Sequence, residues 1–184
     1  MTDFRLYQQA VSPALVDLIS GALLHVRMSR DPNQRIERNG NAYINRWMLA
    51  RKGQVPLYDD PAELLGYAGM IPSELENLYM HEYARSDADD PHCHPWPNVT
   101  LVVDGWYREN MYEAGTNVLV GTATRLPGDV VVRSSGSVHA IVETSSDCVS
   151  LFATLPKEKD WGFHTDAGFV HSRDYSPNNV RPLS

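Results

Sequence analysis

Hydrophobic residues recur at helical spacing near the start of this chain and at strand spacing over most of the remainder. Ser12-Pro13 is typical of a helix start, because a capping hydroxyl is followed by proline at the first helical position. An apolar stripe with the helical period follows, made of Leu15, Ile19, Leu23 and Val26. We therefore expect a helix that ends near Arg30 and packs against the outside of a sheet.

Short apolar or alternating segments separated by turns predict β-strands from residue 42 onward. The predicted strands span 42–50, 77–85, 98–103, 106–110, 118–125, 138–144 and 148–155, followed by a hairpin over 161–174. A further short β run follows the turn at Pro127-Gly128. Residues 51–75 interrupt this pattern, and we expect a short helix over 62–68 within a lid or an interface element. Many short strands behind one helix are typical of an all-β antiparallel barrel or jelly roll. The chain is therefore divided into an N-terminal helical extension (1–40), a β-barrel domain (41–176) and a loose C-terminal tail (177–184).

Two histidines separated by one residue, His92 and His94, precede an apolar strand. In an extended chain, residues i and i+2 point to the same face, so the two imidazoles project side by side and could bind one metal ion. Asn98 continues this parity and is a candidate for a weak fourth ligand or a hydrogen-bonding neighbour, with a purely structural role as the alternative. Cys93 has the opposite parity, so we do not expect it to bind the metal.

A second stretch, residues 127–143, contains two turns followed by a strand that opens with His139. Together the two stretches resemble the paired motifs of the cupin superfamily, whose spacing is kept over residues 86–143. Asn98 stands where the first motif has a metal-binding glutamate, and Glu143 stands where the second motif has asparagine. The resemblance implies an antiparallel cupin barrel, or double-stranded β-helix. It also extends to small bacterial and phage cupins of uncharacterised function.

The metal set that the resemblance implies is His92, His94 and His139, without the usual glutamate. This pattern is similar to that of thiol dioxygenases and some diketone-cleaving cupins. It implies one divalent transition-metal ion, with Fe(II) as the first choice and Zn(II), Ni(II), Mn(II) or Cu(II) as alternatives. Without a carboxylate ligand the ion keeps its full 2+ charge and favours an anionic partner. We therefore expect an oxidoreductase of dioxygenase type acting on a small polar or anionic molecule. The alternatives are a metal-dependent isomerase or lyase, a non-catalytic small-ligand-binding cupin, and a barrel that no longer binds metal.

Three further residues are candidates for catalytic roles, namely Glu143, His81 and Tyr83. Glu143 shares strand parity with His139 and could orient a histidine N–H or act as a base, unless it lies at the rim. His81 and Tyr83 share one strand face with Tyr79, which lines a polar pocket if that face is inside the barrel and is ordinary packing if it is outside. An arginine facing inward would bind a substrate carboxylate, and the candidates are Arg108, Arg125 and Arg133.

Composition narrows the possible partners and the compartment. A net charge of −7 without a basic cluster argues against nucleic-acid binding, which needs grouped Lys and Arg. The sequence has no apolar run of membrane-spanning length and no signal-peptide pattern at its start, and its two cysteines do not make a disulfide framework. We expect a cytoplasmic protein that forms a homodimer. Its substrate should be a small molecule, because the interior of such a barrel admits nothing larger.

Overall fold

The computed structural model describes residues 9–38, 41–52, 75–86 and 90–175, and the statements below concern these ranges. Within them the chain forms one helix and twelve strands. In chain order these are β1 (Gln9–Ala10), α1 (Pro13–Ser29), β2 (Gln34–Arg38), β3 (Asn41–Arg51), β4 (Asn77–Tyr83), β5 (Asn98–Asp104), β6 (Tyr107–Tyr112), β7 (Leu119–Arg125), β8 (Asp129–Arg133), β9 (Val138–Thr144), β10 (Val149–Thr154), β11 (Gly162–Thr165) and β12 (Gly168–His171).

The strands are arranged in three antiparallel sheets. Seven strands make the largest sheet, in the order β1-β8-β5-β10-β4-β3-β2, and β7-β6-β9 and β11-β12 make the other two. This arrangement confirms the predicted all-β antiparallel barrel with a helix in front. The sequence pattern predicted most strand positions to within a few residues, and β9 has the predicted bounds. It did not predict β1 or β2, which are short or polar edge strands, and the predicted helix over 62–68 lies outside the described residues.

Helix α1 begins and ends close to the predicted positions and covers the outer face of the seven-stranded sheet. Its buried residues Ile19, Leu23 and Val26 pack with Met80 and Leu151 of that sheet in the larger apolar core. A hydrogen bond from the Ser20 hydroxyl to Asp104 Oδ2, 2.7 Å long, also joins the helix to β5. Among the described residues, no backbone N–H donates a hydrogen bond to the Ser12 hydroxyl, so proline at the first position is the stronger start signal.

The opposite face of the seven-stranded sheet looks toward the three-stranded sheet. A second core joins the two sheets, through Tyr43, Ile44, Tyr83 and Val102 on one side and Tyr107 and Ile141 on the other. Beside this core the barrel contains a cavity of about 370 Å³. In the described ranges, no helix has the length and apolar character needed to cross a membrane.

Candidate metal centre

The segment that carries His92 and His94 is held between β9 and β11 by backbone hydrogen bonds. The His92 N–H donates to the His139 carbonyl at 2.9 Å, and the His139 N–H donates back to the His92 carbonyl at 3.0 Å. On the other side, the Cys93 N–H donates to the Gly162 carbonyl at 3.1 Å. These bonds place the two predicted histidine motifs side by side, although 47 positions in the numbering separate His92 from His139.

The structure brings the imidazoles of His92, His94 and His139 together at the cavity wall. One nitrogen of each ring lies within 4.8 Å of the corresponding nitrogen of the other two. The Nε2 atoms of His94 and His139 are only 3.0 Å apart. Two imidazole nitrogens that bind one ion at about 2.1 Å are about 3.0 to 3.4 Å apart for angles from a right angle to tetrahedral, so the separation of this pair is compatible with a shared metal.

A carboxylate that the sequence motifs did not indicate lies behind His139. Glu109 of β6 is fully buried, and its Oε2 lies 3.0 Å from His139 Nδ1. The same carboxylate accepts a 2.8 Å bond from Arg125 Nε and a bond from an Nη of Arg133. Burial alone would raise the pKa of Glu109, but the charge of Arg133, the hydrogen bond with His139 and the charge of Arg125 outweigh it and hold that pKa well below its usual range.

The ionised Glu109 determines which nitrogen of His139 is available. A carboxylate only accepts hydrogen bonds, so His139 Nδ1 carries the proton and Nε2 presents its lone pair toward His94. Burial lowers the pKa of His139 to about 4, and the charge of Arg133 lowers it further. Burial also lowers the pKa of His94, and the neighbouring His92 contributes to that shift. All these features suit neutral imidazole ligands, and a carboxylate behind a ligating histidine is common in metal sites. The three histidines therefore fit one divalent transition-metal ion.

The expectation that Glu143 orients a histidine is corrected by the structure. Val142 is an additional residue in β9 where it pairs with β6, since Glu109 is opposite Ile141 while Arg108 is opposite Glu143. Such a β-bulge reverses the alternation of faces, so Glu143 points away from His139. Its half-exposed carboxylate pairs with Arg108 at the surface. The position foreseen for Glu143 is held instead by Glu109.

Asn98 and Cys93 flank the histidines without joining them. Asn98 is fully buried, its Nδ2 lies 3.5 Å from the Trp96 carbonyl, and it is absent from the described residues that line the cavity. A ligand role for Asn98 stays a prediction without support from this geometry. The Cys93 thiol is buried and faces the Gly162 carbonyl at 3.7 Å, on the side that its strand parity predicted.

His81 and Tyr83 line the cavity, so their strand face is the inner one. His81 Nε2 accepts a 2.9 Å hydrogen bond from Arg46 Nε, and its ring stacks on Phe152 with centroids 4.9 Å apart. Burial, assisted by the charge of Arg46, lowers the pKa of His81, so this imidazole is neutral near neutral pH. The Tyr83 hydroxyl lies 3.3 Å from the Ser150 hydroxyl, and burial raises the pKa of Tyr83. Catalytic roles for both residues stay predictions.

Of the three arginines considered from the sequence, only Arg133 lines the cavity. It bonds to Glu109 and lies 3.4 Å from Thr100 Oγ1. Arg125 is buried behind Glu109, and Arg108 is half exposed and paired with Glu143. Sequence analysis missed Arg46, which also lines the cavity. Its place in the alternating strand β3 was the available signal, but which face was inside could not be known from β3 alone.

Comparison with known proteins supports the fold. No protein-family model and no curated protein matches the chain. A solved structure of the DMSP lyases RdDddP and RnDddQII is 12% identical, with a TM-score of 0.52 over 90% of this chain and 86% of that chain. The DMSP lyase DddQ from Ruegeria pomeroyi DSS-3 is 15% identical, with a TM-score of 0.49 over 89% and 84% of the two chains. A mutant of the oxalate decarboxylase OxdC of Bacillus subtilis is 14% identical, with a TM-score of 0.41 over 70% of this chain and 29% of that chain. At these identities the likeness concerns the fold alone.

Proposed function

We propose that this chain, a cupin by its fold, is a metal-dependent enzyme that acts on a small polar or anionic molecule. The observation that carries the proposal is the convergence of His92, His94 and His139 on one wall of a cavity of about 370 Å³. Three neutral imidazoles would hold one divalent ion and leave coordination positions open. When bound, a redox-active ion such as Fe(II) would supply electrons to oxygen and polarise an anionic substrate.

The surrounding residues fix the protonation of one histidine and form the wall of the cavity. Glu109 holds the Nδ1 proton of His139, so that its Nε2 remains an acceptor. Aromatic side chains, including Trp96, Phe152 and Trp161, form much of the remaining wall. They offer an apolar surface against which a small molecule can be oriented beside the metal.

Our first candidate reaction is oxidation by molecular oxygen, of dioxygenase type, because no carboxylate belongs to the proposed ligand set. A divalent ion bound by three neutral ligands would keep its 2+ charge. This charge would favour binding of an anionic substrate such as an enolate or a thiolate.

A non-oxidative lyase or isomerase is the second candidate, and one observation favours it. His81 and Tyr83 place an imidazole and a phenol in the cavity, and both can move protons. The Tyr83 hydroxyl is protonated near neutral pH and can donate a hydrogen bond to a substrate oxygen, although burial raises its pKa and makes it a weaker acid. A solved structure from work on the DMSP lyases RdDddP and RnDddQII shares this fold, which is consistent with a lyase in such a barrel.

One experiment separates the candidates. The protein is purified anaerobically, loaded separately with Fe(II), Mn(II) or Zn(II), and offered thiols, β-diketones, catechols and small carboxylates with and without oxygen. Oxidation predicts substrate loss that requires oxygen and a redox-active ion, measured with an oxygen electrode and by chromatography. A lyase or isomerase predicts product without oxygen and with Zn(II). His139→Ala is the inactive control, and failure of the wild type to retain stoichiometric metal after reloading would refute the metalloenzyme proposal.

A further inference from the structure

The buried charges around the cavity are not balanced by the protein. Glu109 is the single carboxylate between Arg125 and Arg133, so this cluster retains one positive charge. None of the described residues that line the cavity is Asp or Glu. Of the four histidines that line it, His92, His94 and His139 are neutral ligands in the proposed site, and a metal ion there would add further positive charge. The cavity therefore has the electrostatic character of a site for an anion.

Arg46 is the cavity arginine without a countercharge. Its Nε donates to His81 Nε2 at 2.9 Å, its Nη1 donates to Gln34 Oε1 at 3.3 Å, and its guanidinium carbon lies 4.8 Å from the centre of the Tyr79 ring. All three partners are neutral. In the described part of the chain, no carboxylate contacts Arg46 and no protein acceptor bonds to its Nη2. Burial lowers the pKa of Arg46, which agrees with a cation that lacks a protein anion.

Arg46 and the three histidines are linked through side chains that contact one aromatic ring, that of Phe152. The His81 ring, which accepts from Arg46, stacks on Phe152, and the centroid of Phe152 lies 5.9 Å from that of His94. Trp96 packs against Phe152 as well, with centroids 6.1 Å apart. A molecule that reaches from Arg46 to the histidines therefore passes over an apolar aromatic surface.

We propose that Arg46 binds a carboxylate group of the substrate, and that the cavity takes a small organic carboxylate with an apolar body. The planar guanidinium matches a carboxylate, and two of its N–H groups are already oriented by His81 and Gln34. The apolar body would lie on Phe152 and Trp96 and point toward the histidines. The proposal rests on the proposed function only for the reaction at the histidines, at the opposite end of the substrate from its carboxylate. Arg46 would bind the carboxylate with or without a metal.

The test is a binding measurement with two matched pairs of probes, benzoate with benzamide and hexanoate with hexanamide. Trp96 and Trp161 line the cavity, so their fluorescence reports occupancy, and calorimetry confirms the affinity. We expect the wild type to bind each carboxylate more tightly than its amide. Arg46→Gln should weaken carboxylate binding roughly 10- to 100-fold, the equivalent of one charge-assisted hydrogen-bonded contact, and leave amide binding unchanged. Arg46→Lys should bind carboxylates with intermediate affinity.

Two controls test whether an effect of Arg46→Gln comes from the lost charge or from a disturbed fold. Arg35→Gln removes a positive charge from the exposed surface of the neighbouring strand β2, and it should leave carboxylate binding at the wild-type level. Retained amide binding shows that an Arg46 variant still has an intact cavity. Failure of the wild type to bind any carboxylate probe, or equal carboxylate affinity in Arg46→Gln, would overturn the proposal. Inorganic phosphate that binds more tightly than benzoate would overturn the assignment to carboxylates.

The same titrations in metal-free protein and in His94→Ala distinguish this proposal from the metalloenzyme proposal. Carboxylate binding that depends on Arg46 and persists in His94→Ala supports the anchor even if no metal is bound. Stoichiometric metal with carboxylate affinity that does not depend on Arg46 supports the metal site and refutes the anchor.

Discussion

Replacement of Glu109 by glutamine tests the centre of the candidate site. Glutamine keeps the size of the side chain and removes the negative charge that lies between Arg125, Arg133 and His139. Two buried guanidinium groups then lose their countercharge. Removal of one partner from a buried ion pair typically costs about 3–5 kcal/mol, because the other charge remains buried. The carbonyl oxygen of glutamine can still accept one hydrogen bond, so we expect the lower part of that range for unfolding of the metal-free protein.

Metal affinity should fall in the same variant for a separate reason. Without the carboxylate, the Nδ1 proton of His139 is no longer fixed, and the ring can rotate or change tautomer. Loss of such a partner behind a ligating histidine typically weakens metal binding about 10- to 100-fold. Urea unfolding in the presence of a chelator measures the stability change, and competition with a chromophoric chelator measures the affinity for Zn(II).

Glu143→Gln is the matched control, since it removes the half-exposed partner of Arg108. A surface ion pair contributes about 0–1 kcal/mol, and Glu143 is on the face opposite His139, so metal affinity should not change. If Glu109→Gln were no less stable than Glu143→Gln, the buried charge argument would be wrong. If it were destabilised but bound metal with wild-type affinity, Glu109 would have no role in orienting His139.

Four further predictions concern other residues. His94→Ala should lose stoichiometric metal by elemental analysis and keep the wild-type circular dichroism spectrum, whereas Cys93→Ser, whose side chain faces Gly162, should keep the metal. Burial lowers the folded-state pKa of His81, as it does those of His94 and His139, so the unfolded chain binds these protons first and metal-free stability should fall as pH drops below 6.5. His81→Gln should make this dependence less steep in urea unfolding, and the contributions of His94 and His139 should remain. Gly162→Ala should destabilise by about 1–3 kcal/mol, because its Cβ would lie 2.1 Å from the Val170 carbonyl. Gly21→Ala in α1 meets nothing within 4 Å and should stabilise by about 0.5–1 kcal/mol, measured by the same unfolding assay.

The metal-site histidines and the barrel were accessible from the sequence because their signals are local. A helical stripe and strand alternation depend on neighbouring residues, and both survive in α1 and in strands such as β9. The parity of His92 and His94 is likewise a local property of extended backbone. His139 was assigned by resemblance to the second cupin motif, and the structure brings it to the same wall.

Strand pairing determines which charged residues lie beside those histidines, and no single segment of the sequence encodes that pairing. Glu109 is 30 positions from His139 and reaches it only because β6 pairs with β9. One bulge at Val142 turns Glu143 to the surface, although simple alternation placed it with His139. Arg46 and His81 are on neighbouring strands in register, and which of their faces is inside depends on α1 covering the other. Alternation in a strand defines two faces, but only the layers packed on each side determine which face becomes the site.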